Sequence, residues 1–93
     1  MFSWDARKAL GNLQKHGVSF EEAATVFSDP EALDWDDLEH SLSEQRAIRL
    51  GFSMAGRILT VAYTIRRLKN GKETIRIISA RQATRKERQA YAG

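Results

Sequence analysis

Cysteine and long apolar runs are both missing from this sequence, and each absence excludes a class of structure. Without cysteine, the chain can form neither disulfide bonds nor thiolate metal sites. No apolar run approaches the roughly 20 residues of a membrane-spanning helix. The first residues, Met1 to Asp5, lack the charged and apolar regions of a signal peptide. We therefore expect a cytoplasmic protein that does not enter a membrane.

The motifs of nucleophilic hydrolases and of P-loop nucleotide binding are also missing. The chain has no Gly-x-Ser-x-Gly elbow and no Gly-x-x-x-x-Gly-Lys-Ser/Thr sequence. Its composition, with 42% hydrophobic and 29% charged residues, is that of a folded protein rather than a disordered one. At 93 residues, we expect one domain over residues 1–93 with a single modest core.

Charge is distributed very unevenly along the chain. Residues 1–45 carry three Lys or Arg against ten Asp or Glu, whereas residues 46–93 carry twelve against two. The two halves therefore have net charges of −7 and +10, although the whole chain has only +3. Such a division predicts an anionic partner for the basic half, pairing between the halves, or both.

Two helices are predicted in the N-terminal third. Asp5 is a capping residue for the first and Gly17 can end it, with an apolar stripe between them. Ser19 and Glu22 have the spacing of a capping box at the start of the second, and Asp29-Pro30 stops it. Together the helices form a hairpin-like unit whose apolar side must pack on another layer.

An acidic segment follows, without Lys or Arg between residues 29 and 45. Ala32 to Trp35 is a candidate strand, followed by a polar loop through His40 and Ser43. The acidic residues around His40 match no metal-ligand spacing, so we predict no metal site and no cofactor.

The basic half shows strand patterns and a final helix. Arg46 to Phe52, Arg57 to Arg66 and Thr74 to Ala80 have the alternation or the β-branched content of strands. Thr84 and Glu87 have capping-box spacing for a short terminal helix. We expect an α+β domain: an N-terminal helical pair packed on an antiparallel meander, with a short C-terminal helix.

Arginine-rich phosphate handling is the chemistry that these residues best support. An RNA-cleaving enzyme needs no metal if it aligns the ribose 2′-hydroxyl with its phosphate and stabilises the transition-state charge. Arginine suits this task because its planar fork holds two phosphate oxygens and stays protonated. Tyr63 and Tyr91 can stack on bases, although packing in the protein is the alternative role for both.

Two blocks of the sequence share the pattern of a known family. They are Trp4-Asp5-x-x-Lys8 with Asn12 and Lys15-His16-Gly17-Val18-Ser19-Phe20-Glu21-Glu22-Ala23, and Arg76-Ile-Ile-Ser-Ala-Arg81-x-Ala-Thr84-Arg85-x-Glu87-Arg88-x-x-Tyr91. The chain thereby resembles the BrnT family of bacterial type II toxins. The resemblance implies a RelE-like ribonuclease fold, RNA cleavage that inhibits translation, and neutralisation by a BrnA-type antitoxin. It also implies that operator DNA is bound only through the toxin–antitoxin complex.

The resemblance also suggests the site residues. It carries over Arg66, Arg76, Arg81 and Arg85 as a phosphate clamp, with Arg81, at the junction of strand and helix, as the strongest candidate. Family members often have Thr-Glu-Arg where this chain has Thr64-Ile65-Arg66. That departure leaves the general base open among Glu73, Lys15 and His16, and we include His16 and Lys15 among the catalytic candidates. Further contacts with RNA are expected from Arg67, Lys86, Arg88 and Tyr91.

A second class of function remains open from the sequence. The protein could be a non-catalytic nucleic-acid-binding or regulatory subunit whose basic half only grips phosphates, with salt-dependent binding and no cleavage products. In either case, the charge distribution predicts that the antitoxin covers the basic surface.

Overall fold

The computed structural model of the protein describes residues 1–41 and 44–93, so Ser43 of the predicted polar loop lies outside the described residues. Two short 3₁₀ turns, Val26–Ser28 and Leu38–His40, interrupt the connections. The other elements, in chain order, are β1 (Phe2–Ser3), α1 (Ala6–His16), α2 (Phe20–Thr25), β2 (Leu33–Asp36), β3 (Ala47–Phe52), β4 (Ile58–Arg67), β5 (Glu73–Gln82) and α3 (Arg85–Ala92).

The five strands form one sheet in the order β1-β5-β4-β3-β2. Strands β2 to β5 make the predicted antiparallel meander. The expectation of a purely antiparallel sheet is wrong, because β1 pairs in parallel with β5 through Phe2 with Ile75 and Ser3 with Arg76. The sheet is therefore mixed. A strand of two residues is too short to show an alternating pattern, so its pairing was not predicted from the sequence.

The three helices begin at the predicted capping residues and α1 ends at Gly17 as expected, but α2 ends at Thr25, before the predicted stop at Asp29-Pro30, and a 3₁₀ turn follows it. The Asp5 side chain accepts from the Lys8 amide at 3.0 Å, and Gly17 ends α1 with a φ of 68°. Ser19 caps α2 by accepting from the Glu22 amide, also at 3.0 Å. Thr84 begins α3 with a complete capping box.

The core lies between one face of the sheet and the pair α1–α2. Its fully buried side chains come from α2 and the segments that flank it, and from β4 and β5: Val18, Phe20, Ala23, Val26, Leu59, Val61 and Ile77. Trp4 packs against it in an edge-to-face contact with Phe20, with ring centroids 6.0 Å apart. The opposite face of the sheet, which we call the open face, is covered at one end by α3, where Glu87 binds Thr60 and Arg81.

A register shift in β5 decides which arginines reach the open face. Ala62 pairs with Ser79, but the next residue, Tyr63, pairs with Ile77, so β5 carries one extra residue at this point. Strict alternation from Arg81 would turn Arg76 towards the helices. The shift instead pairs Arg76 with Thr64 on the open face.

Asn12 joins α1 to the edge of β5. Because β1 ends at Ser3, β5 has no strand neighbour on that side beyond Arg76. The Asn12 amide donates to the Ala80 carbonyl at 2.8 Å and accepts from the Ala80 amide at 3.0 Å. It also donates to the Val18 carbonyl at 2.9 Å. One buried side chain thus satisfies backbone groups that would otherwise lack partners.

Replacing Asn12 by alanine should lower the free energy of unfolding by about 2–3 kcal/mol, because buried backbone groups of Ala80 and Val18 lose their partner. Urea unfolding followed by circular dichroism measures the change. Gln14→Ala, an exposed amide on the same helix, is the control and should change stability by less than about 0.5 kcal/mol. Equal stability of the Asn12 and Gln14 variants would show that the Asn12 hydrogen bonds do not hold α1 in place.

Candidate functional site

A cavity of about 340 Å³ opens on the sheet between the end of α1, the 3₁₀ turn Leu38–His40 and strands β3 to β5. Ile48, Ala62 and Ile78 give it apolar walls. Its other lining residues are mainly polar or charged: His16, Asp37, His40, Arg46, Thr60, Ser79, Ala80 and Arg81. Both histidines of the chain therefore meet two arginines in one cavity.

A second cavity of similar volume lies near the C-terminal end of α3 and differs in chemistry. Asp29 and Tyr91 are among its lining residues, and no cationic side chain is among them. The Tyr91 hydroxyl donates to Asp29 at 2.6 Å, which attaches the end of α3 to the body of the protein. Of these two cavities, the one on the open face has the cationic residues that can bind an anion.

His16 reaches the cavity because Asn12 fixes the helix one turn earlier. Residues four apart lie on the same side of a helix, and Asn12 is bound to Ala80, which itself lines the cavity. His16 is therefore held half-buried beside the strand that carries Arg81. Of the predicted catalytic residues, His16 and Arg81 are the two that line this cavity.

Arg81 is held by the carboxylate of Glu87 in a two-point ion pair. Its two terminal nitrogens donate to the two Glu87 oxygens at 2.7 and 3.0 Å. Hydrogen bonding from Arg81 lowers the pKa of Glu87 to about 2, with help from the Thr84 amide and the Thr60 hydroxyl. The pair is neutral as a whole, so Glu87 fixes the direction of the Arg81 fork but offsets its charge.

His40 forms a second pair, with Asp37, among the residues that line the cavity. Its Nδ1 lies 3.0 Å from Asp37 Oδ2 and 3.1 Å from Oδ1. Because a carboxylate can only accept, Nδ1 carries the proton and Nε2 is left to exchange a proton with another group. The Asp37 side chain is only 12% exposed, whereas that of His40 is 60% exposed, so the imidazole is open to a ligand.

Arg46 is a cation that forms no ion pair with any acidic side chain of residues 1–41 and 44–93. Its Nε atom is buried and, among the described residues, has no hydrogen-bond partner. A buried donor without a partner is costly and is uncommon in folded proteins. Arg46 also lines the cavity, which makes it a candidate to bind an anionic ligand there.

Arg66 and Arg76 share a face with the cavity but lie outside it. Arg66 alternates with Thr64 and Ala62 along β4, and Arg76 of β5 pairs with Thr64, so both lie on the open face further along the sheet. Arg66 is paired with Glu44 at 3.2 Å, and Arg76 is half-buried. The predicted clamp is therefore spread along a strip of the sheet, with Arg81 at the cavity.

The remaining predicted residues lie at the margins of the protein. Lys15 is exposed at the end of α1, and Arg85 and Lys86 are exposed in the first turn of α3. Arg67 pairs with Glu73 at 3.5 Å, and the exposed Arg88 donates to the Ala83 carbonyl at 2.8 Å.

Tyr63, in contrast, is a core residue: it is only 9% exposed and packs edge-to-face on Phe27, so its role is packing.

Ile65, which occupies the position of a frequent family glutamate, does not face the cavity. It alternates with Tyr63 on the side of the sheet that carries the helices, and its neighbours include Asp36 and Ala47. A glutamate at position 65 of this chain would project away from His16 and Arg81. The departure from the family pattern therefore leaves the residues of the cavity unchanged.

The sequence did not indicate His40, Asp37 and Arg46 as site residues. The Asp37-Leu-Glu-His40 spacing places donor and acceptor one helical turn apart, which is the signal that could have found the pair. Arg46 lies two residues before Ile48, so both side chains project from the same face of the sheet, and this spacing could have identified Arg46. Thr60 and Ser79 are hydroxyl residues within strands, and no local sequence pattern marks them as site residues.

The part of the chain that the structure describes contains neither a cluster of metal ligands nor a membrane-spanning helix. Among residues 1–41 and 44–93, no three His, Asp or Glu side chains come close enough together to hold a metal ion. Within the same residues, every helix is too short or too polar to traverse a bilayer.

Comparison with known proteins identifies the family. A family model described as "Ribonuclease toxin, BrnT, of type II toxin-antitoxin system" matches residues 4–87. The chain belongs to the BrnT family. A 1.1 Å crystal structure of the Brucella abortus ribonuclease toxin BrnT shares its fold, with a TM-score of 0.65 at 23% identity over 91% of this chain and 99% of that one. No curated protein gives a significant match. Membership of this BrnT toxin family confirms the resemblance seen in the sequence and implies an antitoxin partner.

The Arg81–Glu87 pair predicts a pH dependence of stability. Since folding lowers the pKa of Glu87 from 4.5 to about 2, its contribution is complete above about pH 5 and is lost as the pH falls towards 2. Partial exposure to solvent reduces the effect to about 1–2 kcal/mol. We expect the stability difference between wild type and Glu87→Gln, measured by urea unfolding, to shrink by that amount between pH 5.5 and pH 2.5.

Glu73→Gln is the matched control, because Glu73 is exposed and pairs only loosely with Arg67. Its difference from wild type should be nearly the same at both pH values. A constant difference for Glu87→Gln as well would mean that the ion pair does not hold Arg81 in solution.

Proposed function

We propose that this BrnT toxin is an endoribonuclease that cleaves RNA without a metal ion, by attack of a ribose 2′-hydroxyl on the adjacent phosphate. The observation that carries the proposal is the convergence of two imidazoles and two guanidinium groups in one cavity. Such a reaction needs a base, an acid and stabilisation of a developing negative charge. All three kinds of group are available here from side chains alone.

The two histidines are assigned the proton transfers. His40 is oriented by Asp37 through Nδ1, and we assign its Nε2 to remove the proton from the 2′-hydroxyl as the O2′–P bond forms. His16 lies in the last turn of α1, where the helix dipole favours a cation, so it protonates the leaving O5′ as the P–O5′ bond breaks. The products are a 2′,3′-cyclic phosphate and a free 5′-hydroxyl.

The arginines are assigned the stabilisation of the negative charge that develops on the phosphate in the transition state. Arg46, which lines the cavity, binds a non-bridging oxygen of the scissile phosphate. Arg81, fixed by Glu87, is positioned to add a second hydrogen bond as charge accumulates in the transition state. A fixed donor loses little free energy to reorganisation during the reaction.

The other basic residues are proposed to bind the phosphates that flank the cleaved bond. Arg66 and Arg76 extend from the cavity along the open face, Arg67 lies at the end of β4 on the other face, and Arg85, Lys86 and Arg88 extend along α3. Lys15 lies next to His16 and contributes to the local positive potential rather than to proton transfer. Tyr91 holds α3 in place through Asp29.

The biological setting proposed here follows from the family. RNA cleavage in the cytoplasm would inhibit translation, and a BrnA-type antitoxin would neutralise the toxin by covering the basic face. Operator DNA would be bound only through that complex. The architecture is proposed to be of the RelE-like ribonuclease type.

Purified, antitoxin-free protein should cleave single-stranded RNA in the presence of EDTA and leave cyclic phosphate ends. His16→Ala and His40→Ala should each lower the rate by about 10²-fold or more, because each removes one proton transfer. Arg81→Ala should lose most turnover while remaining folded. Gel electrophoresis of end-labelled RNA measures the rates, and Lys8→Ala, an exposed cation on α1, should keep the wild-type rate.

The competing function predicts a different result in the same samples. If the basic half only binds nucleic acid, the folded protein retains RNA in a salt-dependent manner but yields no cleavage products. Intact RNA after prolonged incubation, with the protein folded and its antitoxin absent, would contradict the nuclease.

A further inference from the structure

A half-exposed tryptophan lies beside the cavity without a structural role in the core. Trp35 of β2 pairs with Ile48 of β3, and residues directly opposite in antiparallel strands project from the same face. Ile48 lines the cavity, so Trp35 stands next to it on the open face. The indole is 42% exposed on a strand whose four residues are all exposed.

The two tryptophans of the chain differ in their surroundings. Trp4 is half-buried and packs edge-to-face on Phe20 in the core. Trp35, among the described residues, takes part in no contact between aromatic rings, whereas Phe2, Phe27 and Tyr63 do. An exposed, large apolar ring next to a polar cavity is typical of a binding surface.

The acidic residues around Trp35 do not prevent an anion from approaching this face. Asp34 and Asp36 alternate to the other side of the sheet. Asp34 is also neutralised by Arg49 at 3.1 Å and bound by the Tyr63 hydroxyl at 2.9 Å. Asp37 is bound to His40.

We propose that Trp35 is a stacking platform for a nucleobase that flanks the nucleotide held in the cavity. The inference rests on the proposed function and adds to it the class of substrate: RNA whose bases are unpaired around the cleaved bond. A cavity of about 340 Å³ has room for about one nucleotide and not for a duplex. In a duplex the bases are stacked on each other and cannot reach an indole, whereas unpaired bases stack readily on aromatic side chains.

A protein partner is the other occupant that an exposed tryptophan could have. RNA is favoured because Trp35 adjoins the cavity that contains Arg46, whose buried Nε has no partner among the described residues. The same strip of sheet continues to Arg76 and Arg66. A nucleotide chain lying on it would place phosphates at the cations and a base at the indole.

The test uses a single-stranded oligonucleotide that binds but cannot be cleaved, because it carries 2′-O-methyl groups. Its affinity is measured by fluorescence anisotropy for wild type, Trp35→Leu, Trp35→Phe and Leu10→Ala. Leucine preserves apolar area without an aromatic face, phenylalanine preserves the face, and Leu10 is an exposed residue on the helical layer. We expect Trp35→Leu to bind at least about fivefold more weakly, Trp35→Phe to recover most of the loss, and Leu10→Ala to bind like wild type.

Intrinsic fluorescence gives an independent readout. Oligonucleotide binding should quench the wild-type emission through Trp35 and leave the emission of Trp35→Phe, which comes only from Trp4, almost unchanged. A pre-formed duplex of the same sequence should cause little quenching.

The possible outcomes distinguish a failure of this inference from a failure of the proposed function. If wild type binds the single strand but Trp35→Leu binds it equally well, the stacking platform is overturned while the nuclease stands. If Trp35→Leu loses only its affinity for the antitoxin, Trp35 belongs to a protein interface and the inference is also overturned. If the wild type binds no RNA analogue and cleaves no RNA, the proposed function itself fails.

Discussion

The structure depends most on the hydrogen bonds of Asn12 with Ala80 and Val18. Strand β1 is too short to cover the whole edge of β5, and one amide side chain takes the place of the missing backbone partner. The same hydrogen bonds fix the rotation of α1 about its own axis. His16, one turn later, therefore lies at the sheet edge near Arg81, and a structural requirement of the edge strand also positions the candidate site.

Opposite charges are used here mainly to hold side chains in position. Arg57 with Glu22, Arg49 with Asp34 and Arg66 with Glu44 all join the basic half of the chain to the acidic half. Ion pairs between the two halves therefore explain part of the uneven charge distribution, as one of the two predicted explanations had it. Within the cavity, Glu87 orients Arg81 and Asp37 orients His40, so the cation of Arg46 contributes most to the attraction of an anion.

Local chemistry made most of the fold predictable. The caps Asp5, Gly17, Ser19 and Thr84 bound their helices as expected, because capping is decided by neighbouring residues. The meander followed from strand patterns and short connections. The parallel pairing of strand β1 with β5 and the register shift opposite Ala62 and Tyr63 were not predictable, since both depend on contacts between residues more than ten positions apart.

The candidate site was predictable only where sequence and fold agree at short range. His16 and Arg81 stand next to a helix end and a strand end, which are visible in the sequence. His40 lies in the acidic segment and Arg46 lies directly before β3. The position of both relative to α1 is determined by the whole sheet, so no short stretch of sequence reveals it. The five-residue separation of Arg76 and Arg81 would place them on opposite faces of a regular strand, and only the extra residue in β5 brings them to the same one.

The most direct test of this account is a crystal structure of the protein with an uncleavable RNA analogue. We expect a phosphate in the cavity within hydrogen-bonding distance of Arg46, with His16 and His40 on either side of the 2′-oxygen, phosphorus and 5′-oxygen atoms. An analogue bound only along Arg85, Lys86 and Arg88, with no ligand in the cavity, would contradict it.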